Sequence, residues 1–240
     1  MCTLSWIETQ DTLEVFFNRD EQRGRGPEQP PSLHREGGIP YLAPLDSDAG
    51  GTWIAANAAG VVVALLNGYT QRRGPAAAKR RSRGLLVRDL ASHLTRAEPD
   101  LDAADLEPYD PLHLVLLAPG LVRAYRWDGL EWSGPETPQA PVVSSGWNPE
   151  AVRPHRESLW RTWQAGSPPT QSAEALAYHG FAPGGGDAFS PCMRRDDAAT
   201  RSLCHIRIAA NRVSMRYAPG PPDQTPLGPP QELPLLKPTH

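Results

Sequence analysis

The sequence predicts an α+β domain built from antiparallel hairpins with helices between them. Three observations carry this. GTWIAANAAGVVVALLNGY (51–69) sets two apolar runs around Asn57-Ala58-Ala59-Gly60, residues suited to a hairpin turn. HLVLLAPGLVRAYRWDG (113–129) and TRSLCHIRIAANRVSMRYA (200–218) repeat that form, turning at Ala118-Pro119-Gly120 and Ala210-Asn211. Between the hairpins lie stretches with helical character.

Taken in order, Cys2 to Ile7 and Leu13 to Phe17 predict two short strands around Glu8-Thr9-Gln10-Asp11. Residues 22–50, rich in Gly, Pro and charge, predict an extended loop. Val61 to Leu66 is apolar at consecutive positions, which predicts a strand covered on both faces in a layered architecture. SRGLLVRDLASHLTRA (82–97) predicts a helix with Ser82 as N-cap and Leu85, Leu86, Leu90 and Leu94 on one stripe. His93 in it reads as a partly exposed helix residue. PVVSSGW (141–147) is a strand ending at a turn. A helix over 149–164 starts at Pro149, with Pro154 expected to kink or delay it, and 170–180 is a short helix closed by Gly180. Eight of the twenty residues 219–238 are proline. The domain is therefore expected to span 1–218, with 219–240 an unpaired tail, disordered or draped over the surface.

Composition narrows the function classes. No apolar stretch approaches the ~20 residues of a membrane helix, and no basic-then-apolar start suggests a signal peptide. Three cysteines, at 2, 192 and 204, form no disulfide framework and fit a reducing, cytoplasmic location. A net charge of −3 gives no general drive toward nucleic acid. The segment 71–84 carries six basic residues and 98–110 six acidic ones. Without interleaved aromatics, the basic run reads as a solvated loop and helix start rather than a nucleic-acid patch. A contribution to binding an anionic small molecule stays open. Cys192, Cys204 and His205 match no zinc spacing, Gly184-Gly185-Gly186 is no P-loop, and nothing calls for a cofactor.

The chemistry concentrates at the start. Removal of Met1 would make Cys2 the terminal residue and join a thiol to an α-amine of pKa ~8, a base at neutral pH. Asn18-Arg19-Asp20-Glu21 closes the strand expected to pair with that of Cys2. A guanidinium from Arg19 would lower the thiol pKa, and the Asp20 carboxylate would hold the α-ammonium. The alternative is an exposed charged turn.

Together MCT at the start and FFNRDE at 16–21 resemble the NRDE family of transport and Golgi organisation 2-like proteins. GGTWIAANAAGVVVALLNGY, VSSGW (143–147) and TRS (200–202) are similar to later blocks of that family. The family in turn resembles N-terminal-nucleophile hydrolases of the penicillin V acylase and bile salt hydrolase type. The resemblance implies a four-layer αββα sandwich with Cys2 as nucleophile and Arg19 and Asp20 beside it. It nominates Asn67 for the oxyanion hole, sets Ser145 where relatives carry a second asparagine, and matches Arg201 to an arginine of the last hairpin. Asn18 and Glu21 complete the motif. Two functions follow: hydrolysis of a linear amide through Cys2, or non-catalytic binding of haem, lipid or acyl-CoA in the same pocket.

Overall fold

In the computed structural model, residues 1–69, 80–165 and 172–236 are described. In chain order they form β1 (Cys2–Glu8), β2 (Leu13–Gln22), β3 (Glu28–His34), β4 (Tyr41–Asp46), β5 (Ile54–Asn57) and β6 (Val62–Asn67). There follow α1 (Arg83–His93), α2 (Ala103–Leu106), β7 (Leu112–Ala118), β8 (Leu121–Trp127), β9 (Trp132–Glu136) and β10 (Val142–Ser144). The chain continues through α3 (Pro149–Ala165), α4 (Ser172–His179), β11 (Ala198–Ala209), β12 (Arg212–Ala218) and β13 (Gln231–Pro234). One antiparallel sheet is ordered β10-β1-β2-β11-β12-β13 and the other β3-β4-β5-β6-β7-β8-β9.

Side-chain alternation turns these sheets into four layers. On β6, Val62, Ala64 and Leu66 enter the core shared by the two sheets, with Leu4, Val15, Phe17 and Ile206 from the other sheet. Val63 and Leu65 point the other way and pack with Leu86, Val87 and Leu90 of α1. The consecutive apolar run is thus buried on both faces, as its composition predicts. Behind the six-stranded sheet, Phe16 and Leu203 pack with Trp160 of α3 and Tyr178 of α4. The order is α1, sheet, sheet, α3 with α4: an αββα sandwich. Full burial of each such Leu, Ile or Phe contributes ~1.5–3 kcal/mol.

Several expectations are corrected. Residues 22–50 are not one loop: they hold β3 and β4, with a register shift between Gln29 and Ser32 around Pro30 and Pro31. β3 is an edge strand, where proline's missing N–H costs no ladder bond. The same reason admits β13, which pairs with β12 from Met215↔Gln231 to Arg212↔Pro234. The tail over 219–240 therefore contributes a paired edge strand, contrary to the expectation that it could not join a sheet. Ser82 stands at the N-cap of α1 but makes no side-chain cap bond. Helix α3 runs through Pro154, whose missing N–H would have bonded only within the first turns. Of the basic segment 71–84, residues 71–79 lie outside the described residues, as do 170 and 171 of the last predicted helix.

Asn57 locks the β5–β6 turn to α1. Its Oδ1 accepts from the N–H groups of Ala59 and Val61 at 3.1 and 3.0 Å. Its Nδ2 donates to the carbonyls of Ala91 and Leu94 at 3.0 and 2.8 Å, satisfying the end of the helix. Asn57 is fully buried, so losing these bonds strands polar groups in the core. Asn57→Ala is expected to lower stability by about 3 kcal/mol in urea denaturation. A loss under about 1 kcal/mol would contradict this account of the turn.

Candidate active site

The pairing of β1 with β2 sets Cys2 opposite Arg19. Cys2 and Leu4 face the space between the sheets, as do Phe17 and Val15 on β2. The period of two then sends Arg19 and Glu21 toward that space and Asn18 and Asp20 toward the helices. A cavity of about 340 Å³ opens where Cys2, Arg19 and Glu21 meet Trp53, Asn67 and Arg83. Asn67 arrives from the other sheet as the last residue of β6. Arg83 arrives because α1 begins in direct contact with the strand entrance: the Thr52 N–H donates to the Gly84 carbonyl at 3.1 Å. A Cβ on Gly51 would lie 2.6 Å from the Gly84 carbonyl carbon, so both glycines are required by close approach.

Arg19 is held by anions. Its guanidinium pairs with Glu28, with Glu21 at 3.2 Å and with Asp46 at 3.7 Å, and it lies over the Trp53 ring, 4.5 Å from the centroid. Glu28 also accepts the Tyr217 hydroxyl at 2.6 Å. Sequence reading found none of Glu28, Asp46 and Trp53 as partners of this arginine, nor Tyr217 as the partner of Glu28.

Asp20 is placed differently from expectation. Its carboxylate accepts from Arg156 at 3.2 Å and from the Thr200 hydroxyl at 2.6 Å, on the helix side of the sheet. Arg156, on α3, also donates to Thr3 Oγ1 and the Ala188 carbonyl. Both side chains of the Asp20–Arg156 pair are 0% exposed. Asp20 therefore binds α3 to the sheet; with Met1 in place, the terminal ammonium is that of Met1, and it donates to the Tyr69 hydroxyl at 3.1 Å. What Asp20 gives the cavity is backbone: its N–H donates to the Met1 carbonyl at 3.1 Å. Asn18 likewise faces the helices, donating to the carbonyls of His179 and Pro191.

Two nominated residues do not line the cavity. Ser145 follows β10, whose Ser144 pairs opposite Cys2. The Ser145 hydroxyl closes a local turn, donating to the Trp147 carbonyl and accepting its N–H. Arg201 sits at the irregularity between Thr200 and Ser202. It reaches the Arg23 and Arg25 carbonyls at 3.4 Å, bracing the chain beyond the motif.

Burial pushes the Cys2 thiol up to about 11. The terminal ammonium is the largest opposing influence; the Asp20 charge adds to the rise, and the Asp20 N–H and Arg19 oppose it less. With Met1 in place, the thiol expected to lie below its ordinary value lies above it. Burial also raises Cys192 to about 12 and raises Cys204. All three cysteines are free. Among the described residues, no group of His, Cys, Asp and Glu is disposed to hold a metal ion, and no helix is long and apolar enough to cross a membrane.

This sandwich, with a cysteine at the start of its first strand facing the inter-sheet cavity, has the fold of N-terminal-nucleophile hydrolases. Penicillin V acylase from Agrobacterium tumefaciens superposes with a TM-score of 0.59 at 11% identity, over 92% of this chain and 84% of that one. Conjugated bile acid hydrolase from Clostridium perfringens, in two single-site variants, gives 0.54 and 0.55 at 9% identity. Those alignments cover 98% and 97% of this chain and 92% of each relative. Residues 1–117, which include β1, the NRDE motif and Asn67, match the family model Transport and Golgi organisation 2, and the resemblance read from MCT and FFNRDE holds there. No curated protein matches the chain in sequence.

The buried pair makes a prediction about Asp20. Asp20→Ala leaves Arg156 charged and uncompensated, and is expected to cost about 3–5 kcal/mol by urea denaturation. Asp20→Leu combined with Arg156→Met should recover much of that loss. A single variant within about 1 kcal/mol of the parent would refute this structural role.

Proposed function

We propose that the protein is an N-terminal-nucleophile-type hydrolase that cleaves a linear amide through Cys2 once Met1 is removed. The observation carrying this reading is the convergence of Cys2 and Asn67, from different sheets, on one cavity beside Arg19. Its volume, about 340 Å³, suits a small-molecule substrate.

In this mechanism the α-amine of Cys2 takes the thiol proton. Sulfur attacks the amide carbon, and the Asn67 side-chain N–H stabilises the oxyanion. The tetrahedral intermediate collapses as the α-ammonium protonates the leaving nitrogen, releasing the amine and leaving an acyl thioester on Cys2. Water then adds, giving its proton to the same α-amine. Breaking the C–S bond frees the carboxylic acid and returns the thiol. Arg19, clamped by Glu21, Glu28 and Asp46, shapes the cavity wall and gives only a secondary push toward thiolate.

A second reading is a non-catalytic protein that holds haem, a lipid or acyl-CoA in the same cavity. It is favoured by the thiol at about 11 in the chain that keeps Met1. Intact-mass analysis of the purified protein, exposed to a panel of acyl amides, separates the two. The hydrolase predicts a chain lacking Met1, an acyl adduct on Cys2, and turnover at least about a thousandfold lower in Cys2→Ala. Retained Met1, no adduct and undiminished ligand affinity in Cys2→Ala would support the binding protein.

Alkylation adds a pH test. For the Met1-bearing chain, Cys2 reacts through its thiolate, so its iodoacetamide rate should stay low at neutral pH and climb toward pH 11. A rate already at its plateau near pH 8 would contradict the effect of burial.

A further inference from the structure

Two other cavities, of about 280 and 370 Å³, share His113, Arg126 and Arg153 in their walls. The second also reaches Tyr69, whose hydroxyl receives the terminal ammonium. The strands explain why charge gathers there. On β7, Val115 and Leu117 face the inter-sheet core, so His113 continues that inner row. His113 pairs directly with Arg126 of β8, whose inner row is Val122 and Ala124. Cross-strand partners share a face. The apolar filling thus ends in a histidine and an arginine where the inter-sheet space meets the short edge strand β10. Arg153 reaches the same mouth from α3.

Carboxylates line these cavities too: Glu136 and Glu157 in one, Asp128 in the other. Among the described residues, no carboxylate lies within ion-pair distance of Arg126 or Arg153, whereas Arg19, Arg25, Arg88 and Arg156 all have such partners. Among the described residues the guanidinium donors of Arg126 and Arg153 are thus committed to no carboxylate, and an oxyanion can take them. Both arginines are exposed, and His113 is half-buried.

We propose that this mouth is an oxyanion-binding subsite. Arg126 and Arg153 would clamp a carboxylate or phosphate group of a small molecule, with His113 as a further hydrogen-bond donor. The proposal concerns binding and does not require turnover at Cys2. Guanidinium groups suit it because their planar forks match both anions.

His113 reports on occupancy. Burial, then Arg153 and Arg126, lower it to about 4, so the imidazole is neutral at pH 7. The other titratable groups lining the two cavities are Tyr69, Tyr125, Asp128, Glu136 and Glu157. An anion held between the arginines offsets their charge and favours the protonated ring, raising the His113 pKa.

The test is histidine NMR on the whole chain, titrated separately with inorganic phosphate and with acetate against chloride at matched ionic strength. Cys2→Ala protein serves as well as the parent, so loss of turnover and loss of this subsite are read independently. Phosphate or acetate should raise the His113 pKa. Arg126→Gln and Arg153→Gln should each weaken that effect at least about tenfold, and Arg126→Lys less. Arg123→Gln, on the same strand outside both cavities, should change nothing. A response to phosphate alone assigns a phosphate ester, and a response to acetate alone a carboxylate. Chloride matching both anions, or an undiminished response in the Arg126→Gln/Arg153→Gln double variant, would overturn the proposal.

Discussion

The period of two along β2 is the constraint on which the site depends. Four consecutive polar residues at a strand end cannot share one environment: two must face the inter-sheet space and two the helices. Arg19 and Glu21 take the cavity, while Asn18 and Asp20 take the helix layer. Asp20 then meets Arg156 in a fully dry setting, where each charge is tolerable only because the other is present. The motif that reads as one catalytic cluster is thus divided by geometry. One half builds the pocket, and the other fastens α3 to the sheet carrying Cys2.

Electrostatics inside the pocket follow the same division. Arg19 brings a fixed positive charge within reach of the thiol, yet three carboxylates surround it. Its influence on Cys2 ranks below that of the terminal ammonium. Burial of the thiol outweighs both while Met1 remains. Removal of Met1 would change this balance, because it would place the amine on Cys2 itself. The reading of the protein as an enzyme or a binder turns on that step more than on any side chain.

Much of the fold was legible in the sequence. The hairpins at 51–69, 113–129 and 200–218 announce themselves through turn residues and apolar runs, and the consecutive Val61–Leu66 run foretells cover on both faces. β3 and β13 were hidden because their prolines argue against sheet, and only an edge position, invisible in one dimension, makes them tolerable. Of the residues that line the cavity, Cys2, Arg19 and Asn67 were legible as candidates, partly through family resemblance. The roles of Glu28 and Arg156 were not: Glu28 lies in a stretch that resembles loop, and its partner Tyr217 is 189 residues away. Arg156 looks like any charged helix residue until α3 is laid on β2. Ser145 and Arg201 matched by position, but their hydrogen bonds serve local chain geometry.

The central claim is that, against burial, the terminal amine lowers the Cys2 thiol more than Arg19 does. It is tested most directly by measuring the Cys2 pKa in three full-length forms, by NMR of cysteine labelled at Cβ. These are the chain retaining Met1, the chain beginning at Cys2, and the Met1-bearing Arg19→Gln variant. The account predicts a value near 11 with Met1, a distinctly lower one without it, and a smaller displacement from Arg19→Gln than from removing Met1. Equal values with and without Met1, or a larger displacement from Arg19→Gln, would contradict it.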